Sequence, residues 1–410
     1  MEGLRQQGND AFRGGEYAPA ASLYRACLAS PDAASAAAQD VAAVHSNLSA
    51  ALLHLGDFGE ALASADAAVS SAPGWYKAHF RRGEALSRVG GRWGDARAAY
   101  ARSLEAADAP DAASHRPSDA ERRTIRLRAD DCRRGGVILR QLAPGRDFAV
   151  SQAAGASGDP MRAQVFMAAQ MMKNYVYVVG CARTRACVAV DAAWDVAGIL
   201  DVIRGEGLDL KHCLVTHHHF DHAGGIPPPP FDAMNITLDG VRECAAHFDA
   251  AAGPAADAAR VYAHELDAPV VSALFASDAQ RERRLATLRD GDVVRCGDVT
   301  LRAIHSPGHT KGSMCLRVDD AAGGFLLSGD TLFCGSCGRM DMSDSDAGEM
   351  YDSLQCKLAK LPGSMAVYPG HSYGGPSSTI DGEKDRGVLR PISRDQWLAM
   401  HGAQRKTGPL

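Results

Sequence analysis

Small and aromatic side chains recur at helical spacing along the start of the chain, and they recur in units. Gly8-Asn9-Asp10-Ala11-Phe12 is followed by Gly15-Glu16-Tyr17, Ala20 and Tyr24. Asn47-Leu48-Ser49-Ala50-Ala51 is followed by Gly56-Asp57-Phe58, Ala61 and Ala68, and Arg81-Arg82-Gly83-Glu84-Ala85 by Arg92-Trp93, Ala96 and Tyr100. Asn47 and Arg81 hold matching positions 34 residues apart. Small residues let paired helices approach, aromatic rings fill the gaps between them, and Gly-Asp or Gly-Glu pairs turn the chain. One such unit cannot bury its own apolar face, so the pattern predicts three stacked units over 1–109, with Pro73 ending the second. Residues 118–142 read as a polar-faced capping helix whose arginines form a solvated face. Residues 143–170 lack strong periodicity; Ala153-Ala154-Gly155-Ala156-Ser157-Gly158-Asp159-Pro160 reads as flexible connection, with room nearby for a first strand.

From Lys173 the pattern changes to short β-rich runs alternating with helices. Residues 175–179 and 187–190 read as paired strands, 194–204 as a helix, and 213–215 as a short apolar strand. Further apolar strands are expected over 299–304 and just before Gly329 and Gly370. The expected division is a helical repeat domain with its cap over 1–142, a linker over 143–170, a second domain over 171–395 and a tail over 396–410.

The 410 residues are 46% apolar, enough for large cores in two or three domains. A net charge of −5 argues against nucleic acid or an anionic membrane as the main partner. No apolar run approaches the roughly 18 residues of a bilayer span, and Met1-Glu2-Gly3-Leu4-Arg5-Gln6-Gln7 is too polar for a signal peptide. The expectation is a soluble, cytoplasmic protein. Eleven cysteines, an odd number, read as reduced thiols, and Cys334-Gly335-Ser336-Cys337 has no second Cys-x-x-Cys to complete a structural zinc site.

The 34-residue period is that of tetratricopeptide repeats. The units resemble the tetratricopeptide domains that bind the C-terminal tails of cytosolic heat-shock chaperones. Those domains clamp the terminal carboxylates with Lys, Asn, Asn, Lys and Arg; the matching positions here are Arg5, Asn9, Asn47, Lys77 and Arg81, with Arg5 in place of Lys. All five fall on the first helices of their repeats, which line the concave face. Two amides and three cations there suit an Asp-terminated acidic peptide. The alternative is a set of ordinary surface polar residues on a generic repeat domain.

Thr216-His217-His218-His219-Phe220-Asp221-His222 carries the strongest chemical signal in the chain. Three imidazoles and a carboxylate, spaced His-x-His-x-Asp-His directly after a strand, suit zinc, iron or manganese. Alternation points His217 and His219 the same way, leaving Asp221 and His222 to turn toward a second ion. Downstream, Ser306-Pro307-Gly308-His309, Ser328-Gly329-Asp330 and Tyr368-Pro369-Gly370-His371 each place a ligand type at the end of an apolar strand. His212, His218 and His305 lie near these positions but off the pattern, and read as supporting residues.

Residues 171–395 resemble the metallo-β-lactamase superfamily, in particular the branch containing hydroxyacylglutathione hydrolase (glyoxalase II). The resemblance implies an αββα sandwich, so the whole chain is expected to be an all-α tetratricopeptide solenoid followed by an α/β sandwich. It assigns His217, His219 and His309 to one metal ion, and Asp221, His222 and His371 to a second, with Asp330 bridging. Two divalent ions are therefore expected, zinc first, with iron or manganese as alternatives. Gly329-Asp330-Thr331-Leu332-Phe333 and Cys337-Gly338-Arg339 look like the glyoxalase II stretch around the bridging aspartate. That match makes Arg339 and Tyr373 substrate-contact candidates, while Arg339 has the alternative of pairing with a neighbouring acid such as Asp341. Only 39 residues follow His371, without the long helical extension of glyoxalase II. The stretch from Gly374 to Glu383 looks instead like shorter relatives, including persulfide dioxygenases.

The function that the resemblance implies is metal-dependent hydrolysis of a thioester, glutathione-linked in this branch, with Asp221 and Asp330 as catalytic metal-holding carboxylates. A thiolate leaves with little need of protonation, which suits a site without an evident general acid. Two alternatives stand beside it: a mononuclear iron persulfide dioxygenase using His217, His309 and Asp330, and a chaperone adaptor carrying an idle catalytic fold.

Overall fold

Gly8 and Gly83 set how the helices at the start of the chain cross. A Cβ on Gly8 would stand 2.7 Å from the Tyr24 ring, and one on Gly83 2.6 Å from the Tyr100 ring, so each tyrosine lies against bare backbone. Both rings are fully buried, and their hydroxyls are tied down on the same side: Tyr24 donates to Asn9 Oδ1 at 2.8 Å and Tyr100 to Glu84 Oε1 at 2.7 Å. The same small-against-large device thus recurs in the first and third units, as a true structural repeat requires.

The structure, a computed structural model, describes residues 1–109, 116–149, 160–229, 232, 236–251 and 258–402. It divides into two compact units, Met1–Val137 with Ala182–Thr184, and Ile138–Cys181 with Arg185–Leu410. The first unit runs through α1 (Glu2–Arg13), α2 (Tyr17–Ala29), α3 (Ala38–Leu55), α4 (Phe58–Ser71), α5 (Tyr76–Val89), α6 (Trp93–Asp108) and α7 (Asp119–Arg133), each packed on the next. This is the tetratricopeptide arrangement of three helix pairs and a final helix. Ser118 and Glu121 form a reciprocal capping box at the start of α7, and Ile125 and Cys132 bury that helix against Tyr76 and Tyr100.

The expected capping helix over 118–142 ends early, at Arg133. Gly135 and Gly136 take positive φ angles of 70° and 88°, where a helix cannot continue. The Val-Ile-Leu run that follows becomes β1 (Val137–Leu142) instead. The compact units therefore part at 137–138 rather than at the expected 142. The expected linker over 143–170 overlaps a helix, Pro160–Met172; its Gly-Ser stretch over 153–159 lies outside the described residues.

Two six-stranded sheets build the second unit. One joins β1, β2 (Val176–Cys181), β3 (Ala186–Val190), β4 (Asp209–Leu214), β5 (Arg260–His264) and β6 (Leu285–Leu288) in chain order. The other joins β7 (Val293–Cys296), β8 (Val299–His305), β9 (Met314–Val318), β10 (Phe325–Gly329), β11 (Ala366–Pro369) and β12 (Ser378–Thr379), also in chain order. β2, β3 and β10 are buried at every position, as strands covered on both faces must be. The helices Val196–Gly205 and Val241–Ala250 each turn one apolar face inward, giving the αββα layering.

Strand direction then gathers the chemistry. β8 is antiparallel to β9 and β9 to β10, so β8 and β10 run the same way, and β10 is parallel to β11. The C-terminal ends of β8, β10 and β11, which lead into His309, Asp330 and His371, therefore share one edge.

The expected tail over 396–410 is also revised where it is described. Residues Arg394–His401 form a helix whose Trp397, 3% exposed, enters the core with Met350, Leu354 and Leu389. Among the described residues no helix is long and apolar enough to cross a membrane.

Candidate metal centre

The loop after β4 begins with Thr216, and Asp191, at the end of β3, holds it. Asp191 Oδ1 accepts from the Thr216 backbone N at 2.7 Å, and Oδ2 accepts from the Thr216 hydroxyl at 2.8 Å. Asp191 Oδ2 also lies 2.9 Å from His222 Nδ1. A carboxylate can only accept, so Nδ1 of His222 donates to it, and Nε2 is the atom turned to the centre, free to ligate when the ring is neutral. Thr216 has spent its one proton on Asp191, so at 3.1 Å it accepts from His217 Nδ1.

The same tautomer is enforced at two more histidines by backbone carbonyls. His309 Nδ1 lies 3.0 Å from the Arg339 carbonyl, and His371 Nδ1 lies 2.6 Å from the Met172 carbonyl. Four imidazoles thus turn Nε2 toward the centre, which is how metal-binding histidines are oriented.

These lone pairs converge. His222 Nε2 and His371 Nε2 are 3.2 Å apart. Asp330 Oδ2 lies 3.2 Å from His371 Nε2 and 3.5 Å from His309 Nε2, while Asp330 Oδ1 lies 3.4 Å from His222 Nε2. Asp221 Oδ2 lies 3.3 Å from His371 Nε2 and accepts from Asn174 Nδ2 at 3.0 Å. Among the described residues four groups have ligand atoms all within 4.8 Å of one another: His217, His219 and His309; Asp221, His222 and His371; His217, His222 and Asp330; and His218, His219 and Asp344. All seven residues singled out in the sequence are brought together, and all seven are buried. Gly370 makes room for this crowding, since a Cβ there would stand 2.4 Å from Asp330 Oδ1.

The electrostatics fit a cation. Burial alone would raise the Asp330 carboxyl, but positive charge on His371 and His222 beside it, both raised against their burial by the surrounding carboxylates, holds it down to about 2, and a metal ion would take over that positive charge. Burial, reinforced by neighbouring imidazoles, pushes His217 and His219 well below their usual range, so both stay neutral. His217 Nε2, His309 Nε2 and Asp330 Oδ1 are buried without a hydrogen bond, an expense that a bound ion would remove.

A cavity of about 320 Å³ opens over these residues, walled by Met172, Phe220, Phe333, Cys337, Arg339 and Tyr373. Tyr373 is half exposed and stacks on the His371 ring at 4.8 Å between centroids and 7° between planes. Arg339 holds Asp341 in a two-pronged ion pair, both contacts 2.9 Å, so its guanidinium is engaged within the wall. Cys334 and Cys337 are free thiols. His212 accepts from the Arg260 backbone within the sheet, and His305 contacts the Lys311 carbonyl.

The clamp residues fall into two sets. Asn9 Oδ1 accepts from Asn47 Nδ2 at 2.9 Å, and Asn9, Asn47 and Arg81 line a cavity of about 290 Å³ together with Phe12, Arg13 and Tyr24. Arg5 is paired with Glu2 at 2.6 Å and Asp40 at 2.8 Å, and Lys77 lies 3.8 Å from Glu121; neither lines that cavity.

Sequence reasoning did not assign a role to Asn174 or Asp191. Asp191 gave a faint signal as an acid closing an apolar strand; Asn174 gave none.

The family model described as "Metallo-beta-lactamase superfamily" matches residues 172–371. The chain is 30% identical over 211 residues to the "Probable polyketide biosynthesis zinc-dependent hydrolase BaeB" of Bacillus velezensis, covering 50% of this chain and 76% of that protein. It is 31% identical over 246 residues to the hydroxyacylglutathione hydrolase of Rhodospirillum rubrum, covering 59% of this chain and 79% of that one. A solved metallo-beta-lactamase from Staphylococcus aureus aligns with a TM-score of 0.47 at 21% identity, over 67% of this chain and 69% of that chain.

Proposed function

The chain belongs to the metallo-beta-lactamase superfamily of hydrolases, and from that premise we propose that its second unit hydrolyses thioesters at a pair of divalent ions, zinc in the first instance. His217, His219 and His309 would hold one ion, Asp221, His222 and His371 the other, with Asp330 between them. Two ions bound there would supply Lewis acidity and a water whose pKa falls to near 7.

The residues of the chain do the rest. Asp191, the Arg339 carbonyl and the Met172 carbonyl keep the Nδ1 protons of His222, His309 and His371 turned away from the centre. Buried Phe220 and Phe333 exclude bulk water from the cavity floor. Tyr373 and Arg339 form the wall against which a thiol arm would lie. A thioester suits this cavity because its thiolate departs without a strong acid. The glutathione-linked class follows the name of the Rhodospirillum rubrum relative.

The observation that carries the reading is the set of buried atoms without a hydrogen bond, His217 Nε2, His309 Nε2 and Asp330 Oδ1, where the ligand groups meet. The test is metal content with turnover. Purified protein should hold two zinc-type ions, hydrolyse a hydroxyacyl-glutathione thioester, lose at least about 10³-fold in rate on chelation, and recover on adding two equivalents of zinc. A single iron with oxygen uptake on a persulfide would overturn it.

For the first unit the reading is capture of an acidic C-terminal peptide of the kind that ends cytosolic heat-shock chaperones. Asn9, Asn47 and Arg81 face one cavity and supply two amides and a cation for a terminal carboxylate. Arg81→Ala should weaken binding of a peptide ending Glu-Glu-Val-Asp by about 10- to 100-fold, the worth of a charge-assisted hydrogen bond. Calorimetry showing equal affinity for both proteins would remove the reading. The eleven free thiols fit a cytoplasmic setting.

A further inference from the structure

Asp267 lies outside the catalytic cavity, yet its carboxylate collects donors from both loops that carry the three-histidine group. It follows β5 and immediately precedes the short helix Ala268–Ser272, and it is 2% exposed. Oδ2 accepts from the His218 backbone N at 2.9 Å and from the Thr310 hydroxyl at 3.0 Å. His218 Nδ1 lies 3.0 Å from the same oxygen. Oδ1 accepts from the Gly312 backbone N at 2.8 Å.

The placement of these donors gives the carboxylate its meaning. His218 sits between His217 and His219, and Thr310 follows His309, so every member of the three-histidine group adjoins a residue that Asp267 holds. The other group has anchors besides: Asn174 holds Asp221, the Met172 carbonyl holds His371, and Asp191 holds His222 as well as Thr216 at the head of the loop. Gly312 is fitted to this arrangement: a Cβ there would stand 2.3 Å from Asp267 Oδ1. His218 reaches onward, with Nε2 3.4 Å from Asp344 Oδ2, and ties a third loop to the same point.

We propose that Asp267 is a positioning residue that sets the metal affinity of the His217–His219–His309 group alone, by locking residues 217–219 and the 309–313 loop at a fixed separation. The proposal rests on the two-ion reading above. A buried carboxylate with three hydrogen-bond donors from two loops is a rigid tie. Without it, the loops must be ordered by the ion itself, and groups that orient metal ligands are typically worth about 10- to 100-fold in affinity. The Asp221–His222–His371 group keeps its own anchors and should keep its ion.

The experiment is zinc stoichiometry of the full chain by native mass spectrometry at chelator-buffered free zinc. At a concentration where the unaltered protein holds two ions, Asp267→Ala should hold one. Adding His371→Ala to Asp267→Ala should take the count to none, while adding His309→Ala should leave it at one. Gly312→Ala should act like Asp267→Ala, because its Cβ displaces the carboxylate, and it supplies the test if Asp267→Ala fails to fold. Asp267→Asn keeps one acceptor oxygen and should fall between. Val271→Ala, a buried change in the same short helix, should lower the melting temperature yet retain both ions. Two ions retained in both Asp267→Ala and Gly312→Ala would overturn the proposal, as would an ion lost from Val271→Ala. An unaltered protein that never holds two ions would instead overturn the two-ion reading, and this proposal with it.

Discussion

Asp330→Asn is expected to cut the proposed thioester turnover by about 10³-fold or more and to leave the protein unable to hold two ions at once, with its helix and strand content unchanged. The size follows from charge rather than shape. Two dications about 3.5–4 Å apart repel by roughly 17–19 kcal/mol at an effective dielectric of about 20. An anion between them is therefore a condition of holding both. Asp330 has the position for it, with Oδ1 toward His222 and Oδ2 toward His309 and His371, each within 3.5 Å. Asparagine matches the volume but removes the charge and turns an NH₂ group toward an imidazole lone pair. Loss of the second ion removes both the activated water and the stabilisation of developing oxyanion charge, and the latter alone is worth about 10²–10³-fold in comparable sites. Circular dichroism, zinc content and initial rates on one sample decide the matter. Full turnover with two zinc ions in the variant would mean that Asp330 does not bridge.

The ligands were legible in the sequence because each is a side chain of liganding type at a strand end, and four of them fall within six positions, 217–222. What orients them was not. His309 and His371 are fixed by the backbone carbonyls of Arg339 and Met172, and a carbonyl leaves no trace in residue identity. Asn174 reaches Asp221 from 47 positions away, a contact that spacing cannot reveal. Arg339 stood in the sequence as either a substrate contact or a partner of Asp341; the structure gives it the ion pair and also a place on the cavity wall. In the helical unit the repeat was visible through Gly8, Gly83, Tyr24 and Tyr100, because steric fit dictates residue size. The clamp residues are a weaker case: Asn9, Asn47 and Arg81 share a cavity, whereas Arg5 pairs with Glu2 on its own helix and Asp40 on another, and Lys77 with Glu121, 44 positions on, which a family match does not foresee. Boundaries were misplaced for two reasons: the left-handed backbone at Gly135 and Gly136 ended the helix before β1, and the core contact of Trp397 made a helix of the expected tail.

That last helix makes the second large prediction. Trp397→Ala should destabilise the catalytic unit by about 3–5 kcal/mol, the range for deleting a buried large aromatic, and lower its melting temperature by roughly 10 °C. The indole is 3% exposed, packs with Met350, Leu354 and Leu389, and donates from Nε1 to the Ala347 carbonyl at 2.8 Å. Alanine would leave a cavity and an unpaired carbonyl, and two terms of the same sign add. The consequence reaches the metal group, because the region that Trp397 supports also supports the loop before His309. The Asp346 backbone N donates to the Gly308 carbonyl at 2.9 Å, and the Ser353 hydroxyl to the Pro307 carbonyl at 2.7 Å. Zinc at the three-histidine group should therefore weaken along with stability. Met400→Ala on the same helix, at a position 66% exposed, should stay within about 0.5 kcal/mol of the unaltered protein. Thermal melts of both variants, with zinc and without, separate a core element from an appended tail. If Trp397→Ala melts within a degree of Met400→Ala, the helix is peripheral and the catalytic unit ends before it.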